Sequence, residues 1–132
     1  MRVVILGCGR VGAYLAGSLV SEGHQVTVVD KDSAAFARLG PDFAGDLVVG
    51  TGIDEDVLRQ AGIEQADAFV AVTNGDNTNV MAAQVAREVF GVSRVMCRIY
   101  DPLRDEIYRN LGLETICPTL WGATRIQEWL EG

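Results

Sequence analysis

The chain has 132 residues, 48% of them hydrophobic, with 11 Lys+Arg against 18 Asp+Glu and a formal charge of −7. That length suits one domain with one core, near the usual ~100–150 residues, and is too short for a dehydrogenase built from a cofactor domain and a substrate domain. The acidic balance argues against nucleic acid and anionic membranes as partners, because phosphate neutralisation needs a basic face.

No apolar run reaches the ~18–20 residues of a membrane span. Val3–Leu6 runs straight into glycines rather than into the long apolar stretch of a secretory signal. We therefore expect a soluble, cytoplasmic protein without direct membrane insertion. Cys8, Cys97 and Cys117 are too few and too scattered for a disulfide framework. His24 is the only histidine, which excludes a multi-histidine zinc site, and its loop position predicts a solvated side chain.

Apolar runs of strand type alternate with segments of helical period. Arg2–Leu6 reads as a strand buried on both faces. Gly7–Gly12 breaks it. Val11–Leu19 then places Val11, Leu15, Ala16 and Leu19 at helical spacing, up to Gly23. Gln25–Asp30 is a second strand, and Ser33–Leu39 a short helix stopped by Gly40 and Pro41. Asp46–Val49 is a third strand. Asp54–Ala61 is a helix with acidic residues in its first turn and Gly62 just past its end. Asp67–Val72 is a fourth strand. Asp76–Phe90 is the longest predicted helix, and Met81–Ala86 is alanine-rich, as close packing on a sheet requires. Arg94–Arg98 is a fifth strand, Leu103–Leu111 a helix, Glu114–Cys117 a sixth strand ended by Pro118, and Leu120–Leu130 a final helix. Strict alternation of this kind implies an α/β fold: a Rossmann-like, doubly wound, mostly parallel six-stranded sheet in three layers. With no linker or repeat, residues 1–132 read as a single nucleotide-binding domain.

Gly7, Cys8, Gly9, Arg10, Val11 and Gly12 spell G-x-G-x-x-G between a predicted strand and a predicted helix. Gly7 permits a sharp turn, Gly9 lets a pyrophosphate approach the backbone, and Gly12 lets the helix pack closely. Amide N–H groups at the helix N-terminus favour an anion there. Arg10 is placed to add charge-assisted bonds to phosphate. Cys8 fills the first variable position as a small residue. Asp30, at the end of the second strand, is placed to accept both ribose hydroxyls of an adenosine and to repel a 2′-phosphate. That favours NAD over NADP, although the neighbouring Lys31 weakens the preference.

Ligands of open α/β sheets sit outside the carboxyl ends of the strands. There the third strand meets Gly50, Thr51 and Gly52, the fourth meets Thr73, Asn74, Gly75 and Asp76 with Asn79 on the following helix, and the fifth ends at Arg98. Two roles compete at each: Gly50 and Gly52 as turn residues or as room for an adenine edge, Asp76 as a ligand contact or a helix cap, Arg98 as a ligand contact or the partner of Asp101 or Glu106. No Ser-His-Asp grouping exists, and no Lys or Tyr stands where a hydride-transfer acid belongs; Tyr100 is a weak candidate. The chain reads as a nucleotide binder without chemistry of its own.

The stretches VILGCGRVG (Val4–Gly12), VTVVD (Val26–Asp30), LRQAGI (Leu58–Ile63), ADAFVAVTNGDNTN (Ala66–Asn79), VMCR (Val95–Arg98) and LGLETICP (Leu111–Pro118) together resemble the N-terminal lobe of the RCK family, regulator of K⁺ conductance, also called the Trk-type NAD-binding or KTN domain. The resemblance covers Met1 to about Arg125. It implies a cytoplasmic regulatory subunit that binds NAD(H) or ATP/ADP and controls a membrane K⁺ channel or transporter subunit as a homodimer or larger ring. It places Gly7, Gly9, Arg10 and Gly12 in the phosphate loop and Asp30 on the ribose. Thr51 and Gly52 fall at the adenine contact, Thr73 at the fourth-strand contact, and Arg98 on a phosphate or a partner subunit. The candidate cofactor-binding set is thus Gly7, Cys8, Gly9, Arg10, Val11, Gly12, Asp30, Lys31, Thr51, Gly52, Thr73, Asn74, Asp76, Asn79 and Arg98, with no catalytic and no metal-binding residue.

The chain departs from the family pattern in two places. Thr51 stands where the family usually has Asp, and the family's C-terminal lobe is absent from this sequence. An NAD-dependent oxidoreductase fragment and a lobe that no longer binds nucleotide remain as competing functions. The final helix carries both tryptophans, Trp121 and Trp129, and its apolar residues do not fit one narrow stripe. It is the expected site of assembly, and in the family the corresponding helix crosses to the neighbouring subunit.

Overall fold

The computed structural model describes residues 1–132. Six strands form one sheet: β1 (Arg2–Leu6), β2 (Gln25–Asp30), β3 (Asp46–Val49), β4 (Ala68–Ala71), β5 (Arg94–Arg98) and β6 (Glu114–Ile116). Their spatial order is β3-β2-β1-β4-β5-β6, and every neighbouring pair is parallel. β1 lies at the centre, where Leu6 pairs with Val29 on one side and Ala71 on the other. Its side chains from Val3 to Leu6 are all buried. A strand covered on both faces has no polar side, which is why the run is continuously apolar rather than alternating.

The helices divide by the direction of each crossover, since a right-handed connection moving left across a sheet lies on the opposite face from one moving right. α1 (Arg10–Ser21) and a 3-10 helix at Ser33–Leu39 cover one face, packing Ala16 and Ala35 on Val3, Ile5, Val26 and Val28. α2 (Glu55–Gln60), α3 (Asp76–Gln84) and α4 (Pro102–Asn110) follow crossovers in the other direction. The larger core on that face joins Leu58, Ala82, Ala83 and Ala86 to Leu6, Val29, Phe69 and Cys97, with Tyr108 packed against it. Ala82, Ala83 and Ala86 are fully buried, so the alanine-rich stretch does bring α3 close to the sheet.

α5 (Pro118–Glu131) buries no residue. On the face carrying α1, the outer strands β5 and β6 have no covering helix: Met96 is 38% exposed and Ile116 half-buried.

Three elements differ from expectation in form. Ser33–Leu39 is a 3-10 rather than an α-helix, begun by the Asp32 carboxylate accepting from the Ala34 N–H. The predicted helix at Asp76–Phe90 is α-helical only to Gln84 and then widens into a π turn over Val85–Val89. The turn is closed by the Phe90 N–H on the Val85 carbonyl at 3.3 Å. It keeps Ala86 inward while the Arg87 guanidinium reaches the Gly112 carbonyl at 2.7 Å. The longest α-helix is instead α5, in which Pro118 is the first residue rather than a strand terminator, because a proline has no N–H to lose at that position. His24, expected in solvent, is partly buried with Nδ1 2.9 Å from the Met1 amino group.

Candidate functional site

The sheet order reverses direction between β1 and β4, where the loops leaving the two strands diverge and open a crevice. A cavity of about 500 Å³ lies there, the size expected of a small-molecule cleft at such a point. Four strand ends line it: Leu6–Gly9 after β1, Asp30–Asp32 after β2, Gly50–Ile53 after β3, and Val72–Gly75 with Thr78 after β4. Ala35 and Arg38 of the 3-10 helix complete the wall.

The glycine loop is shaped by contacts that admit no side chain. Gly7 has φ +108°, and a Cβ there would stand 2.8 Å from the Val72 carbonyl oxygen. A Cβ on Gly12 would collide with the Gly7 carbonyl oxygen, so α1 rests directly on the loop that starts it. Gly9 is different, because the space around its would-be Cβ is open. Gly9 is also the N-cap of α1 and provides no side-chain cap, and the first turn carries no acidic residue. The leading N–H groups of a 12-residue helix thus remain free, with the dipole's positive end beside the cavity. An anion satisfies both.

Asp30 bridges the loop to the base of the crevice. Its Oδ2 accepts from the Cys8 N–H at 2.8 Å and its Oδ1 from the Asp32 N–H at 2.9 Å. Each oxygen retains a lone pair for a hydroxyl donor. The Cys8 carbonyl in turn accepts from Arg38 Nη1 at 3.3 Å, so the Cys8 residue is held by both its backbone groups. Burial and the Asp30 charge push the Cys8 thiol up from its ordinary value, against a smaller opposing pull from Arg38. The thiol is therefore neutral at physiological pH and acts as a small packed side chain, not as a nucleophile.

The structure sorts the fifteen candidate residues into two groups. Gly7, Cys8, Gly9, Asp30, Lys31, Thr51, Gly52, Thr73 and Asn74 line the cavity; Arg10, Val11, Gly12, Asp76, Asn79 and Arg98 do not. Arg10 and Val11 are exposed on the first turn of α1, and Gly12 is buried beneath it. Asp76 is not the N-cap of α3, which is Gly75. Its carboxylate accepts from the Tyr100 N–H at 2.8 Å and the Asp101 N–H at 3.2 Å, tying α3 to the approach of α4. Asn79 is fully buried. Arg98 pairs with neither Asp101 nor Glu106: its Nη2 donates to the carbonyls of Val72 at 2.8 Å and Thr73 at 3.1 Å, and its guanidinium lies 4.7 Å from the Tyr100 ring centre. Asp76, Asn79 and Arg98 thus brace the β4 loop from behind.

The lining also takes in Leu6, Asp32, Ala35, Arg38, Ile53, Val72 and Thr78, which were not among the residues expected there from sequence. Arg38 carried a usable signal, being a cation in the last turn of the element that follows Asp30. No three His, Cys, Asp or Glu side chains stand close enough together to hold a metal ion.

The family model described as the TrkA-N domain matches residues 3–118. The chain belongs to the TrkA-N domain family. It is 53% identical over 126 residues to the Trk system potassium uptake protein TrkA of Streptomyces coelicolor, an alignment covering 96% of this chain and 56% of that protein. The chain spans about half the length of the curated relatives it matches. Among solved structures it resembles the AMP-bound Kef C-terminal domain of Shewanella denitrificans, with TM-score 0.82 and 20% identity over 96% of this chain and 77% of that one. It also resembles the GsuK channel bound to NAD, with TM-score 0.73 and 20% identity over 89% of this chain and 21% of that one. At such identities these likenesses concern the fold. No helix of this TrkA-N domain is long and apolar enough to cross a membrane.

Proposed function

We propose that this TrkA-N domain is the nucleotide-sensing part of a K⁺ uptake system. It binds an adenine nucleotide, NAD(H) or ATP/ADP, and passes its occupancy to a membrane K⁺ channel or transporter subunit from the cytoplasmic side. The observation that carries the nucleotide reading is the alignment of the uncapped α1 N-terminus with Asp30 across one cavity. Phosphates sit over Gly7–Gly9, the ribose on Asp30 and the base towards Thr51 and Gly52. The named relative is a potassium uptake protein, and the two structural neighbours carry AMP and NAD.

The domain does not catalyse hydride transfer. The carboxylates lining the cavity, Asp30 and Asp32, already accept backbone N–H groups, and the lining contains no His or Tyr. What it does with its ligand is shift a population: a nucleotide that fits one assembly geometry better than another biases the partner's conducting state. The assembly is a homodimer or larger ring. α5 exposes Trp121, Ile126, Trp129 and Leu130, while the outer strands leave Met96 and Ile116 without a covering helix. A second copy's α5 is suited to cover that sheet face. A thermal-shift panel of NAD, NADH, ATP, ADP, AMP and NADPH tests the nucleotide reading. A ligand at about 100 times its Kd adds about 2–3 kcal/mol of stability, and a panel without any shift overturns it. Steady NADH oxidation by the purified protein would overturn the non-enzymatic reading.

A further inference from the structure

A dinucleotide crosses a doubly wound sheet, with one nucleoside over the ends of β1–β3 and the other over the ends of β4–β6. The two halves of this crevice differ in what they leave free. On the β1–β3 side, the leading N–H groups of α1 have no side-chain cap, and each Asp30 oxygen keeps a lone pair. On the β4–β6 side the corresponding groups already have protein partners. Arg98 Nη2 donates to the Val72 carbonyl at 2.8 Å and to the Thr73 carbonyl at 3.1 Å. Asn79 holds the Thr73 N–H and shares its carbonyl. The Asp76 carboxylate accepts from the Tyr100 N–H at 2.8 Å and the Asp101 N–H at 3.2 Å, which straps the chain leaving β5 to the first turn of α3. The Tyr100 carbonyl accepts from the Cys117 thiol. Arg98 itself is only 7% exposed, with its guanidinium on the Tyr100 ring. The cavity accordingly stops at β4 and α3: no residue beyond Thr78 lines it.

We propose that the Asp76 strap over Tyr100 and Asp101, together with Arg98 on the β4 carbonyls, closes the second half of the crevice, so that the domain selects adenosine mononucleotides over NAD(H). This rests on the nucleotide reading above and narrows its ligand class. A nicotinamide riboside needs hydrogen-bond partners for its carboxamide and its ribose hydroxyls. The backbone groups placed to supply them at the ends of β4 and β5 are bonded within the protein. Admitting the second nucleoside means breaking those bonds, and taking the carbonyls from Arg98 strips a buried cation of its acceptors, which is costly. A mononucleotide asks for none of this. Its adenosine and phosphates use the β1–β3 side alone, and its terminal phosphate brings extra negative charge to the α1 N-terminus, where a dinucleotide has an ester.

The test is calorimetric titration of the full chain with ADP, NAD and NADH. ADP is expected to bind about ten-fold more tightly than either dinucleotide. NAD or NADH binding as tightly as ADP overturns the proposal and leaves the nucleotide site intact. Saturation-transfer NMR on NAD reads the same point without any variant: the adenine protons should receive saturation from the protein and the nicotinamide protons almost none. Equal saturation of the two rings overturns the closed half. Asp76→Ala releases the Tyr100 and Asp101 N–H groups, and the ratio of ADP to NAD affinity is expected to fall about three-fold. A folded Asp76→Ala variant with an unchanged ratio overturns the strap as the determinant. Failure of all three ligands to bind the wild type overturns the nucleotide reading itself.

Discussion

Thr73 and Asn79 hold each other through three hydrogen bonds: the Thr73 N–H and Oγ1 both donate to Asn79 Oδ1, at 2.9 and 2.6 Å, and Asn79 Nδ2 donates to the Thr73 carbonyl at 3.0 Å. The same Nδ2 donates to the Arg98 carbonyl at 2.9 Å. One buried amide thereby fixes the end of β4 to α3 and to the end of β5. Thr73 lines the cavity, and Asn79 determines where it stands.

Replacing that amide should loosen the fold and the site together. Asn79→Ala leaves the Thr73 N–H and the Arg98 carbonyl without their amide partner, while the Thr73 carbonyl keeps Arg98 Nη2, and is expected to cost about 2–4 kcal/mol. Urea unfolding reads the loss. A loss below about 0.5 kcal/mol would mean that water replaces the amide without penalty.

Asp30 should matter for ligand more than for stability. Asp30→Asn keeps an acceptor for the Cys8 N–H, gives up the one used by the exposed Asp32 N–H, and removes the charge proposed to meet the ribose hydroxyls. Nucleotide binding is expected to weaken by about 1–3 kcal/mol, measured by calorimetry. An unchanged Kd would move the ribose away from the end of β2.

Gly12→Ala tests the seat of α1. The added methyl meets the Gly7 carbonyl oxygen, a rigid backbone atom, so relief requires α1 to move off the loop. A loss of about 2–3 kcal/mol in urea unfolding is expected, within the range of an overpacked core. Gly9→Ala, with open space around its Cβ, should cost less, about 1 kcal/mol or below for an alanine at the N-cap, yet impair nucleotide binding.

The buried Cys97 imposes a pH dependence. Burial, and then the charges of Asp105 and Asp76, raise its thiol to about 11, against a smaller lowering by Arg87. The unfolded thiol ionises near 9.0. Between the two values the folded chain retains a proton that the unfolded chain releases, so stability falls as pH rises from about 9 to about 11. The full contribution is on the order of 2–3 kcal/mol. Unfolding midpoints measured from pH 8 to 11 should decline less steeply for Cys97→Ala than for the wild type. Parallel declines would dissociate the effect from this thiol.

Assembly through α5 predicts that the wild type is dimeric or larger at tens of micromolar, and that Trp121→Ala/Trp129→Ala shifts it towards monomer in sedimentation. Both side chains are about 70% exposed, at 68% and 71%. Their removal therefore costs the isolated fold little. A monomeric wild type, or a double variant with unchanged assembly, would count against this helix.

The layered fold was legible because its signals are local. Val3–Leu6 is apolar without interruption, Gly7 and Gly12 punctuate the first crossover, and Asp54 and Asp101 cap helices with their own carboxylates. The glycine loop and Asp30 were legible for the same reason: each follows a strand at a fixed position. What sequence did not disclose depends on side chains reaching across elements. Asp76 belongs to α3 but serves the backbone ahead of α4, and Asn79 belongs to α3 but serves two strand ends. Arg38 reaches the glycine loop from thirty residues away. The π turn was hidden because the sequence Val85–Val89 is a good helix sequence, and only the sheet beneath it decides which residue faces inward.

α5 has 14 residues and buries none of them. An isolated helix of that length is marginal in water, since nucleation is costly and too few turns follow to offset it. None of residues 1–117 buries a side chain of this segment. Its helix–coil equilibrium is therefore coupled to whatever it meets, and if the proposed pairing of copies through α5 holds, the far-UV ellipticity of the chain becomes a function of protein concentration. On dilution the core should retain its signal while the last turns unwind, so that subunit contact is read out as secondary structure.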